Sequence, residues 1–128
     1  GKTVFLADII QAIQEGLFII QADLAGADKK ITAEKVKYLE NIIDEIEKQL
    51  PKIKSFFIPG GSELSALFDY GRAVSRRAER RAVAYFENIK TKSNDESLAY
   101  LNRLSSLLYA LARFVNFKLK IKEKSPLY

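Results

Sequence analysis

The sequence predicts an all-α fold, an antiparallel bundle of four to five helices. Apolar residues recur at alternating spacings of three and four in two long segments. One is Val36, Leu39, Ile43, Ile46 and Leu50, and the other is Leu101, Leu104, Leu108, Leu111 and Val115; such repeats are the seam of a helix bundle. Gly26, Pro51 and the run Pro59-Gly60-Gly61 fall between periodic stretches, where helices must stop. No segment sustains the alternation of a strand, and no hairpin signal occurs.

The first helix runs from about Asp8 to Ala25. Ile9, Ile13, Leu17, Ile20 and Leu24 form one stripe, while Ile10, Phe18 and Ile19 lie off it. A helix apolar on more than one side is central in a bundle or sits in a subunit interface. Gly26 ends it. Thr32 caps the second helix, with Glu34 in its first turn. Its remaining faces are Lys and Glu and are read as solvent-exposed. Pro51 stops it after a length of ~27 Å. Phe56, Phe57 and Ile58 suit an extended segment, which breaks at Pro59-Gly60-Gly61. Ser62 then caps a third helix that runs to about Lys90. The linker 90–94 is polar, and Ser93 with Glu96 has the spacing of a capping box ahead of the fourth helix. The final LKIKEKSPLY is lysine-rich and expected to fray.

One domain over residues 1–128 is expected, large enough for a real core. A hydrophobic content of 48% with 29% charged residues is ordinary for a globular chain. No apolar run spans a bilayer and the N-terminus has no signal-peptide pattern, so the cytoplasm is expected and no membrane partner. Cysteine is absent, which excludes disulfides and thiolate chemistry; histidine is absent too, removing the commonest metal ligand and general base. Any catalysis must run on carboxylates, cations, hydroxyls or a borrowed cofactor. The net charge of +5 suits an anionic partner without separating nucleotide from nucleic acid. Gly1-Lys2-Thr3 opens without methionine, so a longer gene product is expected. The same three residues are also the tail of many phosphate-binding loops, a weak signal on its own.

The third helix carries the strongest functional signal. Arg72, Arg76, Arg77, Arg80 and Arg81, with Glu79, fall within ten residues. At ~100° per residue, Ser65, Asp69, Arg72, Arg76 and Glu79 share a stripe with Arg80 at its edge. Leu64, Leu67, Tyr70, Val74, Ala78, Ala82 and Tyr85 fall on the other side. A solvated charged face is the ordinary meaning of an arginine-rich helix. Yet this helix uses arginine almost exclusively in a lysine-rich chain, and arginine suits bidentate contact with phosphate. The stripe also begins at a Gly-Gly helix N-terminus, where free N–H groups favour an anion. It reads as a polyphosphate-facing surface. On the fourth helix Asn102, Ser106, Tyr109, Arg113 and Asn116 make a second polar stripe. For that one, a wet surface and a functional face weigh equally.

Three stretches, FFIPGGSELSAL, GRAVSRRAERR and LNRLSSLLYALAR, resemble in order and spacing the ATP:cob(I)alamin adenosyltransferases of the propanediol-utilisation type. The stretch GADKKITAEKVKYLENIIDEIEKQLP resembles the helix before that family's Pro-Gly-Gly turn, and the likeness covers roughly the whole chain from Asp8 onward. The resemblance implies a five-helix bundle assembled as a homotrimer with active sites between subunits. It implies transfer of the 5′-deoxyadenosyl group of ATP to the cobalt of a reduced corrinoid, cobalamin, with release of triphosphate. By the same resemblance Arg72, Arg76, Glu79 and Arg80 match ATP-site and intersubunit ion-pair positions, and Asn102 matches an ATP-contacting asparagine. Phe56 matches the phenylalanine that displaces the lower axial ligand of the corrinoid. Lys2 and Thr3 match the end of the family's N-terminal phosphate loop. Arg72, Arg76 and Phe56 are therefore the catalytic candidates, and Lys2, Thr3, Arg76, Glu79, Arg80 and Asn102 the nucleotide-binding ones. No protein metal ligand is expected, since magnesium would arrive through ATP. A reductase and a cobalamin-dependent mutase or dehydratase are the implied partners.

One departure stands out. The family carries a few dozen residues between the phosphate loop and the first helix, including an aspartate that pairs with the residue matching Arg72. Here Thr3 is followed almost at once by helix, so a segment is expected to be missing between about residues 3 and 8. The alternative function is a basic helical module binding nucleic acid through Arg72–Arg81, in which Asp69 and Glu79 sit awkwardly. A purely structural bundle is a third reading. Di-iron bundles are disfavoured because their Glu-x-x-His pairs are missing.

Overall fold

The computed structural model describes residues 5–52, 57–89, 95–122 and 124–127. It contains α1 (Leu6–Leu24), α2 (Ala33–Gln49), α3 (Glu63–Ile89) and α4 (Asp95–Lys118), with no strand among the described residues. Helices α2 and α3 both pack along α4, which makes α4 the axis of the bundle. The predicted seams meet there: Leu39, Ile43 and Ile46 of α2 share one core with Leu101, Leu104, Leu111 and Val115 of α4. Ile9, Ile13 and Ile20 of α1 join them.

Local chemistry explains the boundaries. Thr32 Oγ1 accepts from the Lys35 N–H at 3.3 Å, capping α2 as expected. Past α1, Gly26 adopts φ +92°, and the Ala27 N–H returns to the Ala22 carbonyl at 2.9 Å. The Ser93 half of the expected capping box before α4 lies outside the described residues.

Within α1, Gly16 sets how closely the helix approaches α4. A Cβ there would land on the hydroxyl and ring of Tyr100, which is only 2% exposed. The Tyr100 hydroxyl donates to the Ala12 carbonyl at 3.4 Å. Burial, with Tyr38 adding to it, pushes the phenol up to about 12, so it remains a donor.

In helix α3 the structure decides which of the two sides is covered. The residues turned inward are Ser65, Phe68, Ser75 and Ala82, with Arg72 and Glu79 half-buried between them. The side carrying Leu64, Leu67, Tyr70, Val74 and Tyr85 is exposed, with Leu67 at 59% and Tyr70 at 71%. Among the described residues Val74 and Tyr85 border a groove with Leu17, Ile20 and Leu24 of α1, while Leu67 and Tyr70 stay open to water. The polar stripe, not the apolar one, thus runs beside α4.

The expected fraying after α4 also needs correction. Lys120 takes φ 58°, and the Ile121 N–H bonds the Asn116 carbonyl at 2.8 Å. The chain then returns to the Pro-Gly-Gly turn, where the Ile58 N–H donates to the Lys124 carbonyl at 2.7 Å. As a result residues 110–116 of α4 are buried on every side.

Candidate functional site

The Pro59-Gly60-Gly61 turn is built to lie flat against the C-terminal half of α4. Gly60 and Gly61 have φ +98° and +107°, values that side chains rarely tolerate. A Cβ on Gly61 would fall 2.9 Å from the Asn116 Nδ2. The Gly60 carbonyl accepts from Asn116 Nδ2 at 2.7 Å, and the Gly60 N–H donates to Asp69 Oδ2 at 2.8 Å. Ser65 Oγ lies 3.2 Å from the Gly60 carbonyl and 3.0 Å from that of Ala112, fastening the start of α3 to α4. Ser62 caps α3 by accepting from the Ser65 N–H at 3.2 Å. The N–H groups of Gly60 and Ser65 are therefore already engaged, and the anion-binding role expected of this helix start gains nothing from them.

Beside the turn opens a cavity of about 580 Å³, within the usual range for small-molecule sites. Residues 57–61 form one wall, Asp69 and Arg72 of α3 a second, and Tyr109, Arg113 and Asn116 of α4 the third. Lys122 and Lys124 of the returning chain complete it. The Arg72 guanidinium lies over the Tyr109 ring at 5.3 Å, and that of Arg113 over the Phe57 ring at 5.2 Å. Arg113 is buried and donates to the Pro51 carbonyl at 3.1 Å. Three members of the second polar stripe, Tyr109, Arg113 and Asn116, thus line a cavity, while Asn102 and Ser106 do not.

Farther along α3, the Glu79 Oε2 accepts from the Asn102 Nδ2 at 3.2 Å. The Asn102 Oδ1 in turn accepts from Arg103 Nη2 at 2.7 Å. Glu79 therefore reaches across to α4, and no ion pair joins it to Arg76 or Arg80, its neighbours on the helix. Arg76 and Arg80 are exposed. The ion pairs among the described residues are Lys30–Asp23 at 3.3 Å and Lys37–Glu40 at 3.9 Å, neither involving α3. Arg72, Arg76 and Arg80 consequently form a strip of cations, ~12 Å long at ~1.5 Å per residue, that makes no ion pair within 4.0 Å among those residues although Asp69 and Glu79 lie on the same helix beside it. Arg72 belongs both to this strip and to the cavity wall. Arg77 and Arg81 lie elsewhere, along a groove of about 490 Å³ shared with Leu17, Ile20 and Leu24 of α1.

The structure thus brings Arg72, Arg76, Glu79, Arg80 and Asn102 to one edge of the α3–α4 pair. Lys2, Thr3 and Phe56 lie outside the described residues; of the stretch between about residues 3 and 8 where a join is expected, residues 3 and 4 lie outside them too, while Phe5 precedes α1 and residues 6–8 open it. Among the described residues no group of three or more acidic side chains is placed to hold a metal ion. No helix there is long and apolar enough to cross a membrane. Asp69 and Asn116 acquire roles that the sequence alone did not assign.

A family model described as cobalamin adenosyltransferase matches residues 2–115. The corrinoid adenosyltransferase of Bacillus subtilis (strain 168) is 42% identical over an alignment of 108 residues that covers 81% of this chain and 55% of that protein. Its counterpart in Mycobacterium leprae (strain TN) is 38% identical over an alignment of 122 residues that covers 87% of this chain and 64% of that one. The chain therefore spans between half and two thirds of the length of these relatives. A solved PduO-type ATP:corrinoid adenosyltransferase from Lactobacillus reuteri, a phenylalanine-to-alanine variant complexed with cobalamin and ATP, superimposes with a TM-score of 0.87. It is 28% identical and covers 96% of this chain and 71% of that one. An arginine-to-lysine variant from the same organism, complexed with ATP, gives 0.86 at 29% identity, covering 95% and 71%. With a family match running through all four helices and a fold that superimposes to this degree, the chain belongs to the cobalamin adenosyltransferase family.

Proposed function

We propose that the chain is a corrinoid adenosyltransferase, moving the 5′-deoxyadenosyl group of ATP to cob(I)alamin to give adenosylcobalamin and triphosphate. The observation that carries this reading is the cation strip Arg72–Arg76–Arg80 running directly into the cavity at the Pro-Gly-Gly turn. In this reading ATP lies on the strip, the corrinoid occupies the cavity, and Arg72 stands at their junction.

Reduced cobalt supplies the electron pair that displaces triphosphate from C5′, so the reaction suits a chain without histidine or cysteine. Arg76 and Arg80 bind the phosphate oxygens and stabilise the charge that gathers on them as the C5′–O bond breaks. Magnesium comes with ATP through those same oxygens. Glu79 holds the Asn102 amide in a fixed orientation toward the nucleotide. Arg72, kept in place over Tyr109, borders the point where the two substrates meet. Lys2 and Thr3 are assigned to the phosphate loop and Phe56 to the lower face of the corrinoid, all by resemblance.

The same reading makes the enzyme a homotrimer with its sites between subunits. Supporting it are Leu67 and Tyr70 of α3, open to water, and Phe18 of α1, which is 71% exposed. Arg76 and Arg80, open to water in one chain, would be enclosed by a neighbouring copy. Arg72 lacks a carboxylate within 4.0 Å among the described residues, in keeping with a family segment missing from between about residues 3 and 8 of a single adenosyltransferase domain. A reductase supplies cob(I)alamin, and a cobalamin-dependent mutase or dehydratase takes up the product. The need for ATP suits a cytoplasmic enzyme. Nucleic acid is the poorer partner, because Asp69 and Glu79 interrupt the positive strip.

A thermal shift series tests nucleotide binding. Magnesium and ATP at a hundred times Kd should stabilise the fold by about 2.7 kcal/mol, a rise in Tm of roughly 8 °C, while duplex DNA should give none. Equal stabilisation by DNA, or none by millimolar ATP, would overturn the reading.

A further inference from the structure

We propose that Asn116 is a positioning residue that sets how well the cavity accepts its corrinoid, an inference resting on the assignment of that cavity above. The side chain is 7% exposed and uses both ends of its amide. Its Nδ2 donates to the Gly60 carbonyl at 2.7 Å, and its Oδ1 accepts from the Ser62 hydroxyl at 3.2 Å. Its own carbonyl accepts from the Ile121 N–H at 2.8 Å. One residue therefore fastens the Pro-Gly-Gly turn, the first turn of α3 and the returning chain after α4. Each of these borders the cavity.

The turn has little else to hold it. Residues 59–61 belong to no helix, and Gly60 and Gly61 occupy the left-handed region, from which a freed glycine readily departs. Apart from Asn116, the turn's bonds to side chains among the described residues are those of Ser65 and Asp69, and the Ser65 hydroxyl is shared with Ala112. Gly61 packs directly against the Asn116 amide, so the contact fixes position as well as satisfying hydrogen bonds. Arg76 lies fourteen residues beyond Ser62 on α3, about 21 Å along the helix. Loss of the Asn116 contacts should accordingly disturb the corrinoid cavity and leave the grip on ATP intact.

The test compares Asn116→Ala and Asn116→Asp with the full chain as it stands, measuring KM for cob(I)alamin and for ATP separately. Binding of cob(II)alamin is followed in parallel by equilibrium dialysis with ATP present. Leu104→Ala, a buried core change away from the turn, controls for lost stability. Both Asn116 variants should raise the corrinoid KM and the dialysis Kd about tenfold, the effect of losing the shorter of the two hydrogen bonds to the Gly60 carbonyl and with it the hold on the turn, with the ATP KM changed less than about twofold. Asn116→Asp keeps the size and the acceptor but loses the donor, so it should match alanine, and it carries the test if alanine misfolds. Leu104→Ala should lower Tm without splitting the two KM values. Aspartate behaving like wild type, or both KM values moving together, overturns the role of Asn116. A wild-type chain that retains no cobalamin in dialysis instead overturns the assignment of the cavity, and the inference with it.

Discussion

Arg76→Ala is expected to lower kcat by ~10²–10³, the usual cost of removing one donor aimed at transition-state charge. The fold should hardly notice the change. Arg76 is exposed and meets no carboxylate among the described residues, so the truncation breaks no ion pair there and opens no cavity. A stability change within about 0.5 kcal/mol follows for such a position in a single chain. The combination is diagnostic, because a cation kept for solubility would move neither quantity. The measurement is steady-state turnover of reduced cobalamin at saturating ATP, with Tm recorded on the same sample. Turnover near wild type would remove Arg76 from the site.

Glu79→Lys should have the next largest effect, again on activity more than on folding. The carboxylate lies within one turn of Arg76 and Arg80 and accepts from Asn102 across the helix pair. Lysine there would crowd a third cation among them and remove the acceptor that orients Asn102. A loss of ~10²-fold in kcat/KM for ATP is expected from misplacing nucleotide-binding groups. A fully buried ion pair broken in this way would cost several kcal/mol. Glu79 is half-buried and hydrogen-bonded to a neutral amide, so like-charge repulsion along the helix and one lost hydrogen bond come to about 1 kcal/mol. Glu79→Gln keeps an oxygen facing Asn102 and should recover much of the loss. Full activity in the lysine variant would show that the Glu79–Asn102 contact is incidental. A collapse of Tm in both variants would make it structural.

Much of this was legible in the residues. The three-four repeats of α2 and α4 name the core, because period and burial coincide when a helix packs against partners in its own chain. Thr32 and Ser62 announce their caps, and the double glycine announces a turn that only glycine allows. Helix α3 was legible only in part. Its apolar and polar sides were separable by angle, but periodicity carries no sign for whether an apolar side meets its own core or something else. Here Leu67 and Tyr70 face out, while Ser65, Arg72 and Glu79 run beside α4. The role of Asn116 was hidden for another reason. Its partner Gly60 is 56 residues away, a distance over which local pattern says nothing. The lysine-rich end misled in the same way, since backbone bonds from Ile121 to Asn116 and from Ile58 to Lys124 hold it and composition does not encode them. The arginine stripe of α3 was legible from angle and residue choice as a surface suited to polyphosphate, resemblance alone gave individual arginines their roles, and the structure adds that they make no ion pair among the described residues.

Phosphorus NMR of a reaction containing the chain, ATP, magnesium and chemically reduced cobalamin is the most direct test of an arginine strip that holds ATP while the corrinoid is alkylated at C5′. Inorganic triphosphate should appear in step with adenosylcobalamin. Release of orthophosphate or diphosphate in its place, or ATP left intact beside reduced cobalamin, would contradict the proposed reaction.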